Sequence, residues 1–226
     1  IISYKNPELA TIKDNKALWN LPKTRRFGYR NLHKINRYGL FLRSDLILKL
    51  KKNYKKEIGV KPLVKRLTKN KSFCSLIVGN GQNILFEKYA KDFSYNQPQT
   101  IMSITKMFAN LFVGELLKNK KINLNKNVSY YLPKIGSGYA KAKVQDILNM
   151  NVVNAYTEDY TKAYSSSFMH EPVGGWRLPK SGQIKLSQEQ YLNTIKNIKN
   201  RDLKNNSEYA LYKSANTDVI GLIIEK

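Results

Sequence analysis

The chain has 226 residues, 42% hydrophobic and 11% aromatic, which suits one large or two small globular domains and excludes a disordered chain. Its net charge is +24, from 40 basic and 16 acidic residues, a balance that favours anionic partners such as nucleic acid or an anionic membrane surface. The single cysteine, Cys74, excludes an internal disulfide framework and any multi-cysteine metal site; lying in an apolar run, it reads as a small buried thiol. No stretch of about 18 apolar residues occurs, so no membrane span is expected. The first residue is Ile, no signal peptide is visible, and Gly221 to Lys226 still reads as helix. Both ends look cut, so a fragment is expected, with a cytoplasmic location favoured and a periplasmic one open.

In chain order, residues 1–43 read as irregular, basic and aromatic, with Trp19, Arg26, Phe27 and His33. Residues 1–70 form an N-terminal extension with two short helical patterns, Asp45–Lys52 and Lys61–Thr68, and residues 71–226 form the main domain. Lys51, Lys52, Lys55 and Lys56 read as a solvated face. Phe73–Val78 and Ile84–Tyr89 are β-rich runs joined by Gly79-Asn80-Gly81, a hairpin signal. Ser103 to Leu117 is a helix apolar on most sides, expected to be buried at the centre of a domain. A connector, Ile122–Leu132, stops at Pro133, and a short helix follows at Val144–Met150. Asn151–Gly182 reads as a long irregular stretch, of the kind that is often functional. Ser187–Lys199 is an amphipathic helix capped by Ser187, and Asn216–Lys226 is the last helix.

The candidate chemistry starts at Ser103-Ile104-Thr105-Lys106, an S-x-x-K tetrad. Three residues is nearly one helical turn, so the lysine amine and serine hydroxyl share a face. A serine at a helix N-terminus gains from the dipole and from free N–H groups able to hold an oxyanion. A nearby lysine can take the hydroxyl proton, in place of the histidine of other serine enzymes. Chance supplies about two such tetrads in a chain of this composition, so the context, strands then a loop then serine at a helix start, carries the weight. Tyr212-Lys213-Ser214 is a Y-x-S motif before an apolar helix, and a tyrosine hydroxyl beside a Ser–Lys pair can relay a proton to a leaving group.

These motifs in this order resemble the serine β-lactamase and penicillin-binding superfamily. Within it the sequence is most similar to the class C-like esterases and the 6-aminohexanoate-dimer hydrolase group. Met102 to Lys106 resembles M-S-x-[ST]-K, Tyr131-Leu132-Pro133 resembles Y-V-P, and Ile147 to Met150 resembles an L-D-M turn. Glu158-Asp159-Tyr160, Gly175-Trp176-Arg177 and Tyr212 to Val219 (YKSANTDV) resemble E-D-Y, G-W-R and Y-C-S-A-N-T-D-V. The Leu18 to Phe27 stretch resembles W-x-x-P-x-x-R-x-x-F.

The resemblance implies an α/β (α+β), β-lactamase-like (serine transpeptidase-like) fold: an antiparallel sheet with a helical subdomain. The closing strands, the third motif and one oxyanion N–H are expected beyond Lys226. Ser103 would be the acylated nucleophile, Lys106 its base and Tyr212 the proton relay supported by Ser214. Tyr160 would contact the substrate amide from the loop, Glu171 would face a substrate amine, and Trp176 would anchor the loop end. His170 and His33 carry no role, His170 reading as loop surface. Lys180-Ser181-Gly182 imitates the third motif, but it precedes the tyrosine and follows a proline. The implied activity is a serine hydrolase acting on a small-molecule amide or ester, with no cofactor, no metal and no nucleic-acid partner. The alternatives are a basic binding module for anionic partners and a non-catalytic relative with the same fold. The first lacks any helix-turn-helix, zinc or RNP pattern. The second is opposed by the intact Ser103, Lys106 and Tyr212.

Overall fold

The structure is a computed structural model describing residues 2–5, 22–32, 38–41, 44–162, 164–176, 181–182, 184 and 186–226. Trp19, His33, Arg177 and Lys180 lie outside the described residues. The chain divides into two compact units, Ile1–Thr100 and Ile101–Lys226.

In the first unit, β1 (Ile2–Lys5) pairs antiparallel with β2 (Tyr38–Phe41), and helix α1 (Arg25–Arg30) lies between them in sequence. The N-terminal stretch is therefore not irregular throughout. Arg26 and Arg30 of α1 both grip Asp92, with Arg26 Nε 2.7 Å and Arg30 Nη1 2.9 Å from Asp92 Oδ2. These two guanidinium groups hold the Asp92 carboxyl well below the usual carboxylate range. Cys74, expected to be buried, is half-buried, with its Sγ 3.7 Å from Arg26 Nη1.

The order continues with β3 (Lys51–Lys52), α2 (Lys56–Val60), α3 (Pro62–Lys69), β4 (Ser75–Asn80) and β5 (Asn83–Tyr89). The hairpin forms in the expected place. Its turn is Gly81-Gln82, with Gly81 at φ +54°, a left-handed conformation that glycine adopts without side-chain cost. The sheet order is β3-β5-β4. Because β3 runs parallel to β5, the sheet is mixed and not purely antiparallel as expected. The helix expected over Asp45–Lys52 is absent. Leu46, Leu48 and Leu50 alternate with period two, and the backbone after them bonds to the sheet, Lys51 N–H to Gln82 O at 2.8 Å and Asn53 N–H to Ile84 O at 2.9 Å.

The second unit opens with a 3₁₀ turn, Met102–Lys106, running into α4 (Met107–Lys118). Then come α5 (Val128–Tyr131), α6 (Ser137–Ala140), α7 (Val144–Leu148), α8 (Ser166–His170), α9 (Gln188–Asn193) and α10 (Ser214–Glu225). Helix α10 packs against α4, α7 and α9, and the core gathers Val113, Val128, Val144, Ile147, Val152, Leu192 and Val219. Inside it, Tyr139 Oη donates to Asn216 Oδ1 at 3.0 Å, so the asparagine of S-A-N is a satisfied core group.

Three expectations change here. Helix α4 is not buried: Val113 enters the core, but Leu111 on the other side is 62% exposed, and Met107, Phe108 and Phe112 are exposed with it. The stretch Asn151–Gly182 holds α8 and a bridge from the buried Val152 to Lys204, so it is only partly irregular. Helix α9 has the expected Ser187–Gln190 capping box but ends at Asn193. Beyond it the backbone turns to other partners, Ile195 O accepting from Gly138 N–H at 3.0 Å and Lys196 O from Ala155 N–H at 2.9 Å. That approach needs glycine at 136, where a Cβ would sit 2.3 Å from Ile195 O.

Leu192 fills the centre of this core with no exposed surface. Leu192→Ala is expected to lower the free energy of unfolding by about 3 kcal/mol, checked by urea titration of the full chain.

Candidate active site

Ser103 and Lys106 lie in the 3₁₀ turn that leads into α4, not in the α-helix proper. A 3₁₀ turn has three residues per turn, so positions i and i+3 eclipse and the tetrad spacing stacks the lysine over the serine. Lys106 Nζ is 3.1 Å from Ser103 Oγ. Met102, just before the serine, has φ +47°, a left-handed conformation that costs a non-glycine residue about 1 kcal/mol. Strain of this kind gathers at functional sites, and here it turns the chain sharply into the helix at Ser103.

The tyrosine arrives from the extended stretch just before α10. Tyr212 Oη donates to Ser103 Oγ at 2.8 Å, and Lys106 Nζ lies 5.7 Å from the Tyr212 ring centroid. The Y-x-S spacing works because Lys213 is extended, at φ −141° and ψ 122°. Alternate side chains of extended backbone share a side, so Tyr212 and Ser214 face the same way, with Tyr212 Oη 3.4 Å from Ser214 Oγ. Tyr160 joins from the loop, its Oη 3.1 Å from Ser214 Oγ. Burial pushes the Tyr212 phenol up, but hydrogen bonds with Ser103, Ser214 and Lys106 outweigh it and leave the group below the ordinary tyrosine value. Tyr160 is pushed up by burial and by its bond to Glu158.

Five of the seven sequence-predicted residues thus meet: Ser103, Lys106, Tyr160, Tyr212 and Ser214. Glu171 and Trp176 are not among the hydrogen-bonded members of this group. Glu171 is 7% exposed and its backbone carbonyl accepts from Trp176 N–H at 2.9 Å, while Trp176 is 37% exposed.

Glu158, given no role from sequence, links the parts. Its carboxylate accepts from Ser214 N–H at 2.8 Å, from Ser214 Oγ at 2.7 Å and from Tyr160 Oη. A carboxylate on the first N–H of α10 also suits the helix dipole. Its place in Glu158-Asp159-Tyr160 was the signal available in the sequence.

His170 corrects the expectation of a loop surface: it is 8% exposed. Its ring stacks on Tyr191 at 4.5 Å, Nδ1 lies 3.3 Å from Tyr156 Oη, and Nε2 lies 2.9 Å from Gln188 Nε2 and 3.6 Å from Asp218 Oδ2. Burial lowers its pKa below the ordinary histidine value, against the pull of Asp218.

Among the described residues no group of three or more His, Cys, Asp or Glu could hold a metal ion, and no helix is long and apolar enough to cross a membrane.

No protein-family model matches the chain. The 6-aminohexanoate-dimer hydrolase of Paenarthrobacter ureafaciens is 30% identical over 153 residues, which make up 67% of this chain and 37% of that protein. The chain therefore spans little more than a third of that relative. A solved structure, the "Putative 6-aminohexanoate-dimer hydrolase from Bacillus anthracis", superposes with a TM-score of 0.71 and 16% identity over 92% of this chain and 56% of that one. At that identity the likeness bears on the fold. The chain is accordingly a mixed α/β protein, similar in sequence to a 6-aminohexanoate-dimer hydrolase and sharing the fold of a second protein given that name.

Proposed function

We propose that the chain carries the acylating centre of a serine hydrolase with a β-lactamase-like fold, cleaving an amide or ester bond of a small molecule. The observation that carries this is the convergence of Lys106 Nζ and Tyr212 Oη on Ser103 Oγ, at 3.1 and 2.8 Å. Both groups are within proton-transfer reach of the one hydroxyl.

Lys106 takes the Ser103 proton while Oγ bonds to the substrate carbonyl carbon. The carbonyl π electrons move to the oxygen, which the backbone N–H of Ser103 helps to stabilise. Collapse of this tetrahedral species breaks the bond to the leaving nitrogen or oxygen, and Tyr212 hands that atom a proton relayed from Lys106. Water then attacks the acyl-enzyme, giving its proton back through the same pair, and Ser103 is restored. Ser214 orients Tyr212, and Tyr160 presents its hydroxyl to the substrate amide. Glu171 faces a substrate amine and Trp176 holds the loop end. The similarity to the Paenarthrobacter hydrolase supports an amide or ester substrate.

The test is incubation with a p-nitrophenyl ester, acid quench and peptide mass spectrometry. An acyl adduct on the Ser103 peptide is expected. Turnover with no adduct there, or an adduct on another side chain, overturns the assignment. Tyr160→Phe is expected to raise KM for a short linear amide by about tenfold, the scale of one lost hydrogen bond to substrate, with a smaller change for the ester, checked by steady-state kinetics on both.

A further inference from the structure

We propose that Lys213 is a positioning residue: its buried ammonium, bound to two backbone carbonyls, holds the Asn154–Tyr160 segment against the Tyr212–Ser214 turn. It thereby sets the contact of Ser214 with Tyr212 and of Tyr160 with Ser214. This rests on the hydrolase proposal above.

Lysine is almost never buried unless its charge is matched. Lys213 is 9% exposed and occupies the residue between the two members of the Y-x-S motif. The extended backbone that sends Tyr212 and Ser214 to one side sends Lys213 to the other, into the unit. There Nζ donates to Tyr156 O at 2.5 Å and reaches Asn154 O at 3.4 Å.

Those carbonyls belong to a segment fixed from several directions. Asn154 Nδ2 donates to Gly138 O at 3.1 Å, Asn154 Oδ1 accepts from Tyr156 N–H at 3.1 Å, and Ala155 N–H donates to Lys196 O at 2.9 Å. Lys213 therefore anchors the tyrosine's turn to a rigid point. At the far end of the segment Glu158 takes Ser214 N–H and Oγ and the Tyr160 hydroxyl. The segment is stitched to the turn twice, ammonium on carbonyls and carboxylate on N–H. The second stitch carries the Ser214 hydroxyl that touches Tyr212 and the Tyr160 hydroxyl bonded to Ser214, so slack in the first moves them.

The energetics suit placement more than stability. Burial lowers the Lys213 pKa below the ordinary lysine value, and the Glu158 charge recovers only part. Between the lowered and ordinary values the unfolded chain holds more protons than the folded one, so stability rises with pH there. The charged form of Lys213 is thus a cost to folding, offset by its two carbonyl bonds. Removing it is expected to change stability little while loosening the site.

The experiment compares Lys213→Met and Lys213→Arg with the full unmodified chain. It reads kcat and KM on a p-nitrophenyl ester, melting temperature, and hydrogen exchange of the amides of residues 155–160. Lys213→Met is expected to lower kcat at least about tenfold with KM within about threefold, since small misplacements of reacting groups cost this much. Its melting temperature should stay within a few degrees and its amides exchange faster. Lys213→Arg, which restores charge and donors, should recover most of kcat. Unchanged kcat in Lys213→Met overturns the proposal, as does unchanged exchange. Loss of activity in step with melting temperature and without rescue by arginine reduces Lys213 to a stability role and overturns it too. If Lys213→Met does not fold, Lys213→Gln carries the same comparison. Should the unmodified chain show no turnover, the hydrolase proposal fails while the exchange data still decide whether Lys213 holds the segment.

Discussion

Ser103→Ala is expected to lower kcat on a p-nitrophenyl ester by about three orders of magnitude or more and to abolish the acyl adduct. The substitution removes the one atom on which both Lys106 Nζ and Tyr212 Oη converge, so no other hydroxyl of the group is placed to take over. Ser214 Oγ is engaged by Glu158, and its contact to Tyr212 Oη is longer, at 3.4 Å. The fold should be untouched. Ser103 is exposed in a short turn, and its side chain caps no helix N–H, so the change in stability should stay within about 0.5 kcal/mol. That separation makes the result readable: an inert protein with an unaltered melting temperature assigns the loss to chemistry. Residual turnover near that of the unmodified protein, or an adduct of unchanged mass, would falsify the nucleophile assignment.

How far the sequence disclosed this site depends on how local each interaction is. Ser103 with Lys106, and Tyr212 with Ser214, are pairs whose geometry follows from spacing within one short stretch, and spacing is what a sequence displays. The left-handed Met102 was not legible, because nothing in methionine marks that conformation. Lys213 was missed for a related reason: a lysine reads as solvated by default, and only the carbonyls of Asn154 and Tyr156, 57 or more residues away, make its burial affordable. His170 was misjudged because Tyr156, Gln188, Tyr191 and Asp218 reach it from separate segments. In the fold the same division holds. The hairpin and the α9 capping box are local and formed where expected, while the end of α9 is set by distant pairing with Gly138 and Ala155. For α4, hydrophobic periodicity identified apolar residues but could not say which of them meet the core, and in the structure Val113 does while Leu111 does not.

Tyr212→Phe is expected to lower kcat by about 10²- to 10³-fold, the usual contribution of one placed acid–base group, and to change the shape of the pH profile. The phenol is held below its ordinary value by Ser103, Ser214 and Lys106 despite its burial. The phenol therefore gives up its proton more readily than a free tyrosine, which suits a group that hands a proton to the leaving atom. In the unmodified enzyme the part of kcat/KM that depends on the protonated phenol falls as pH rises through the lowered value. Phenylalanine keeps the ring over which Lys106 lies, at 5.7 Å, but carries no titrating oxygen, so that limb should vanish and leave a low, flatter profile. The stability sign is independent of rate. Between the lowered value and 10 the unfolded tyrosine holds a proton that the folded one has released, so the stability of the unmodified protein relative to the variant should rise with pH across that window. Ester kinetics and thermal melts measured at the same pH values check both. A retained alkaline limb in the variant assigns that titration to another group, since Tyr212 is then a hydrogen-bond donor to Ser103 and not a proton relay.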